Sequence, residues 1–225
     1  MQQTISKSFK DIFSGTVLLF IAKVTGISIA VTAILIWLFN TTLVNFVKSY
    51  LSWIPWEWLQ TSGAAVATIA ITYMIFIMVL SMITSLMVEP LLIQLAKKHY
   101  PERKIIGSAD LKTSILLSLK SGVIFLLLFL FTFPVMFIPL VGALYMLWLW
   151  SILLKEPTIY DVGSLFFNDR SIMKEKTKKS TLLAMIAAGF NYIPVLNIFA
   201  PVFAQILFLH QIAGVDHPIH PQDTY

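Results

Sequence analysis

The chain has 225 residues, 58% of them hydrophobic and 12% charged, with a mean hydropathy of +0.84; this is the composition of an integral membrane protein and excludes a soluble domain of ordinary size outside the apolar runs. The formal charge of +5 comes from lysines and arginines in short loops beside those runs, which cytoplasmic retention of the loops explains without nucleic acid. Cysteine is absent, so disulfides, thiolate metal sites and cysteine nucleophiles are excluded.

Residues 6–22 interleave Lys7, Lys10 and Asp11 with Phe9, Ile12 and Phe13 before turning apolar, the pattern of a helix lying at the membrane interface. Lys23 interrupts the first apolar run and no clean small-x-small cleavage site follows, so the first span is expected to be retained. Residues 24–47 then run for 24 positions without a charge and predict a crossing that ends near Lys48. Three tryptophans and a tyrosine between Tyr50 and Trp58 predict an aromatic belt at headgroup depth. Residues 58–88, uncharged between Glu57 and Glu89, predict a second crossing in which Gly63, Ala64, Ala65 and Ala67 let another helix approach closely. A helix over residues 91–99 is expected to leave toward the cytoplasm at Lys97 and Lys98 and to stop at Pro101. Ser108-Ala109-Asp110 then offers an N-cap for the helix that enters the next apolar stretch.

Two further stretches, residues 121–154 and 180–209, carry no charge over 34 and 30 positions, yet proline breaks each near its middle, at Pro134 and Pro139 and at Pro194 and Pro201. Each splits into pieces of about a dozen to fifteen residues, roughly 20 Å of helix against about 30 Å of hydrocarbon. Lysines flank both stretches, so both ends are expected on the cytoplasmic side and each stretch is read as a re-entrant helical hairpin. Backbone at such a tip has to be buried in protein or line a wet cavity. A pair of full crossings in place of each hairpin, six in all, remains compatible with the charges, because both tips are uncharged. The two breaks match at an offset of 55: Phe137-Ile138-Pro139-Leu140-Val141-Gly142 against Tyr192-Ile193-Pro194-Val195-Leu196-Asn197. Such duplication is common in transporter folds. Residues 157–179 form the one long polar connection, and residues 214–225 are expected to be a disordered tail after a single helical membrane domain, residues 1–213.

No acid, base or metal set supports catalysis. Asp161 and Asp169 are read as a solvated loop pair, His99 as a helix-end residue, and His217 and His220, with Asp216 and Asp223, as part of the flexible tail. No phosphate loop, zinc-binding histidine pair on one helix or nucleophile elbow is present. Permeation requires less, because the second arm of each hairpin starts at the tip and turns its first N–H groups inward, which suits an anion. Gly142 and Asn197 are the positions where backbone or amide meets a ligand or merely makes the turn.

The chain resembles the bacterial CysZ-type sulfate permeases and the wider membrane family that includes the eukaryotic etoposide-induced proteins. The resemblance rests on Pro90-Leu91-Leu92-Ile93-Gln94-Leu95-Ala96-Lys97-Lys98, on residues 138–142 followed by Trp148 and Trp150, and on residues 192–201. It implies two long transmembrane helices plus two half-penetrating helical hairpins, a homo-oligomer in the bacterial inner membrane, and sulfate uptake feeding cysteine synthesis. Members carry a Gly-Leu-Arg element associated with sulfate; here the corresponding stretch is Lys23-Val24-Thr25-Gly26-Ile27-Ser28, which keeps the glycine and lacks the arginine. The expectation is therefore an all-α permease for an inorganic anion, N-terminus cytoplasmic, without cofactor or metal. Lys23, Gly26, Ile27 and Ser28 form a first anion site, and Gly142 and Asn197 line the path. The alternative is a non-transporting membrane scaffold of the same fold.

Overall fold

A computed structural model describes residues 2–52, 55, 57–167, 180–193 and 196–214. Trp53, Ile54 and Trp56 of the expected aromatic belt, the 168–179 part of the polar connection with Asp169 and its lysines, Pro194, Val195, and the tail from residue 215 lie outside the described residues. Every regular element among the described residues is helical, and four helical segments are long and apolar enough to cross a membrane.

Helix α1 (Gln2–Ile12) ends where Ser14 turns extended and donates its N–H to the Asp11 carbonyl at 2.9 Å. The expected interfacial segment is thus cut in two, and its apolar half joins the first span. Helix α2 (Gly15–Leu51) runs 37 residues, about 55 Å at 1.5 Å per residue. Lys23 sits inside this helix instead of ahead of it. Helix α3 (Glu57–Met87) packs along α2, and both leave outer faces exposed, with Trp37 at 79% and Ile69 at 71%, as lipid-facing helices do.

Helix α4 (Glu89–His99) follows after one residue, because Pro90 is tolerated in a first turn. It buries Leu91, Leu92, Leu95 and Ala96 and ends on Lys97, Lys98 and His99, cations at the negative end of the helix dipole. Helix α5 (Leu111–Thr132) is capped by Asp110, whose carboxylate accepts from the Thr113 N–H at 2.9 Å and its hydroxyl at 2.8 Å.

The arms of the first hairpin are longer than the charge-free stretch suggests. α5 has 22 residues, a 3-10 turn (Phe133–Phe137) follows, and helix α6 (Val141–Gly163) has 23. Charges are accommodated along the arms: Lys120 pairs with Glu156 across the hairpin at 3.8 Å, and Lys155 donates to the Thr181 hydroxyl at 2.8 Å. By length, α5 with its 3-10 extension is sufficient for a crossing. The second hairpin keeps the expected short arms: helix α7 (Ser180–Ala188), 3-10 turns (Gly189–Tyr192 and Leu196–Phe199), then helix α8 (Ala200–Ala213). The best apolar window of its last segment is 78% buried, against 22–28% for the other three candidate spans, which makes α8 the central rod of the bundle. Ala184, Ala187, Ala188, Ala200 and Ala204 are fully or almost fully buried, and their small side chains let α6, α7 and α8 approach closely.

The duplication seen in the sequence is repeated in hydrogen bonds. Ile138 N–H donates to the Val135 carbonyl and Ile193 N–H to Phe190, both at 3.2 Å; Gly142 N–H donates to Ile138 and Asn197 N–H to Ile193, at 2.7 and 3.2 Å. All four residues are related by the offset of 55.

At the first tip Leu140 has φ 64°, a left-handed conformation costly for a branched side chain, and a Cβ on Gly142 would lie 2.2 Å from the Met136 carbonyl oxygen. At Gly26 an added Cβ meets nothing within 4 Å. Gly142→Ala is therefore expected to lower the thermal midpoint of the detergent-solubilised protein. Gly26→Ala should leave it unchanged or raise it, by up to about 1 kcal/mol of helix propensity. A Gly142→Ala protein as stable as the parent would contradict this packing.

Candidate functional site

The two tips meet. Tyr192 of the second hairpin donates its hydroxyl to the Ala143 carbonyl, one residue past Gly142, and its ring stands edge-on to Trp150 with centroids 5.3 Å apart. Asn197 is buried and its amide donates to the Tyr73 hydroxyl on α3. Gly142 is held by close approach to the Met136 carbonyl. The N–H groups of Val141 and Gly142 are spent on Pro139 and Ile138, at 2.7 Å each, so these two donors close the turn instead of facing a ligand.

On α2, Lys23, Gly26 and Ile27 are exposed at helical spacing on one face, whereas Ser28 is fully buried and donates to the Val24 carbonyl at 2.7 Å. Among the described residues no hydrogen bond or ion pair joins this face to the tips. Helix α2 does, however, touch the 3-10 turn that carries Asn197.

The largest departure from the sequence reading is Asp161. It is not in a solvated loop: α6 continues through Pro157 to Gly163, and Asp161 is 2% exposed. Its carboxylate accepts from Ser85 (α3) at 2.5 Å, Ser114 (α5) at 3.0 Å and the Gln205 amide (α8) at 2.9 Å. One acidic side chain thus receives donors from the three helices around it. Its partners are neutral hydroxyls and an amide, so directed hydrogen bonds rather than a counter-ion satisfy its oxygens. Close by in sequence, Thr84 Oγ1, Ser118 Oγ and Gln205 Oε1 are buried without a partner in the protein, which leaves unused hydrogen-bonding capacity on the same helices. The sequence held one clue: Leu154, Thr158, Asp161, Val162 and Leu165 fall on one helical stripe, and all are buried.

A second buried carboxylate, Asp11, is 3% exposed and lies against His99 and His210. Burial opposes its ionisation, but the hydrogen bonds from His99 and His210 and their charge outweigh that and hold it below the ordinary carboxylate range. Beside it the Tyr100 hydroxyl is pushed up by burial, Asp11 and Glu102. No sequence motif joins Asp11, His99 and His210, because they are separated by 88 and 111 positions.

Long paired helices with lipid-type faces, two proline-broken hairpins joined at their tips, and buried polar groups gathered at seams between helices define a multi-pass, all-helical membrane protein. The chain belongs to the family described as sulfate transporter CysZ/etoposide-induced protein 2.4, which matches residues 4–201 and so includes both tips and Asp161. No curated protein and no solved structure matches it.

Removing the Asp161 acceptor strands three buried donors. Asp161→Ala is expected to cost at least about 3 kcal/mol, read as a lowered thermal midpoint in detergent. Asp161→Asn should cost about 1 kcal/mol, since its carbonyl still accepts and the Ser114 hydroxyl can rotate to accept from the new amide. Equal midpoints for the parent and both variants would show that the node holds nothing together.

Proposed function

We propose that the protein passes an inorganic anion across a bacterial inner membrane, sulfate first, for cysteine synthesis, and that its N-terminus is cytoplasmic. Membership of a transporter family over residues 4–201 carries this reading. The joined tips support it, because irregular backbone buried between helices is where broken-helix transporters keep their solute path.

In this reading α2 and α3 cross, and the two hairpins enter from the cytoplasmic side and turn back. The Lys120–Glu156 pair at the arms supports that depth. Charges favour the interface, which leaves residues 121–154 as the part that enters hydrocarbon. The arrangement also places 15 of the 16 lysines and arginines on the cytoplasmic side, all but Lys48.

Lys23, with Gly26, Ile27 and Ser28, forms the first anion site. Lysine supplies a point charge on an exposed face where the family's arginine would supply a planar fork. Ser28 contributes through helix packing, since its hydroxyl is already bonded to Val24. The tips at Gly142 and Asn197 line the path, with the Asn197 amide and the Tyr73 and Tyr192 hydroxyls as the polar groups there. Assembly as a homo-oligomer would cover part of the exposed outer faces of α2 and α3.

Radiolabelled sulfate flux into proteoliposomes tests the function. Uptake above empty vesicles is expected, reduced about tenfold by Lys23→Gln, equivalent to about 1.4 kcal/mol. Correctly inserted protein that gives no flux above empty vesicles would remove the assignment. If it also binds no oxyanion and co-purifies with a stable partner, it is a membrane scaffold of this fold.

A further inference from the structure

We infer that Asp11, His99 and His210 form a binding site for a divalent transition-metal ion, with zinc as the representative ion, which clamps α1 to the ends of α4 and α8. This site is independent of the proposed anion passage.

One ligand atom from each of the three residues lies within 4.8 Å of the other two. His99 Nε2 is 2.9 Å and His210 Nε2 2.9 Å from the same carboxylate oxygen of Asp11, and the two imidazole rings meet edge to face with centroids 5.2 Å apart. In a tetrahedral zinc site, bonds of about 2.0–2.2 Å put neighbouring ligand atoms roughly 3.3–3.5 Å apart. The two histidine–carboxylate contacts need to open by about half an ångström to admit the ion. Two imidazoles with one carboxylate select a transition metal over calcium or magnesium, which take oxygen ligands.

The surroundings fit a metal site in two further respects. His210 Nδ1 lies 2.9 Å from the Tyr100 hydroxyl, an outer partner that holds the ring orientation and can accept the Nδ1 proton when Nε2 turns to the ion. Both histidines bind the ion through Nε2 as neutral imidazoles, so each Nε2 gives up the proton it otherwise donates to Asp11, and the Asp11 carboxylate supplies the negative charge. His99 and His210 also line a cavity of about 290 Å³ that includes Lys7, Tyr100 and Glu102; it gives the ion a route in and room for water in the fourth position. Lys98, 3.5 Å from Asp11 and 60% exposed on its side chain, has to swing outward when a cation binds. Lys7 is already placed over the Tyr100 ring at 5.4 Å.

The test uses the full chain in detergent, freed of metal and equilibrated with zinc or cobalt salts. One zinc per chain is expected by metal analysis after dialysis, and cobalt should give the visible absorption of a tetrahedral nitrogen and oxygen site. His99→Ala should weaken binding by at least tenfold, and Tyr100→Phe by about tenfold as a lost outer partner. His217→Ala with His220→Ala should leave it unchanged. His99 is half-buried at the surface, so its variant decides the matter even if His210→Ala does not fold. No bound zinc in the parent overturns the proposal, and so does binding that survives His99→Ala or is lost with the two tail histidines.

Discussion

Polar groups hidden from water have to find partners inside the protein, and nearly every feature of this chain answers to that constraint. In hydrocarbon an unpaired N–H or carbonyl costs several kcal/mol, so a chain that stops being helical inside the bundle must close its own turns. Both tips do so with the same pair of bonds, from the repeat-related residues 138 and 193 and 142 and 197. The left-handed Leu140 and the contact of Gly142 with the Met136 carbonyl show how little room the first turn leaves.

The same constraint explains why the bundle is organised around nodes. Lipid tails are as apolar as leucine, so burial of leucine gives little reason for one helix to seek another; close packing of small residues and shared polar groups do. Asp161 gathers α3, α5 and α8 onto α6, and Asp11 ties the first helix to the last through His210. The alanines of α7 and α8 bring backbones close between these nodes. What results is an interior held by a few directed contacts, with the outer faces of α2 and α3 left to lipid.

Much of this was legible in the sequence because hydropathy and proline act locally. The two long helices, the breaks near Pro134 and Pro194, the Asp110 cap and the 55-residue repeat all follow from residues near one another in the chain. The start of α5 was legible from its cap, but the end of α6 was not, because Lys155, Glu156 and Pro157 read as the start of a polar connection where the helix continues to Gly163. Asp161 looked like a loop residue because Pro157 suggests an ending and its three donors come from 44 to 76 positions away. The Asp11 cluster was hidden for the same reason, at separations of up to 199. Contacts made by topology leave no local trace.

The central claim is that each proline-broken stretch turns back before reaching the far face of the membrane. The chain has no cysteine, so single cysteines at Leu140→Cys, Ile193→Cys and the arm-base position Lys112→Cys can be probed with an impermeant maleimide on intact cells and on inverted vesicles. Lys112→Cys should label from one face only, and neither tip should label from the opposite face. A tip cysteine labelled from the face opposite Lys112→Cys would mean that the hairpin crosses, and would contradict the account.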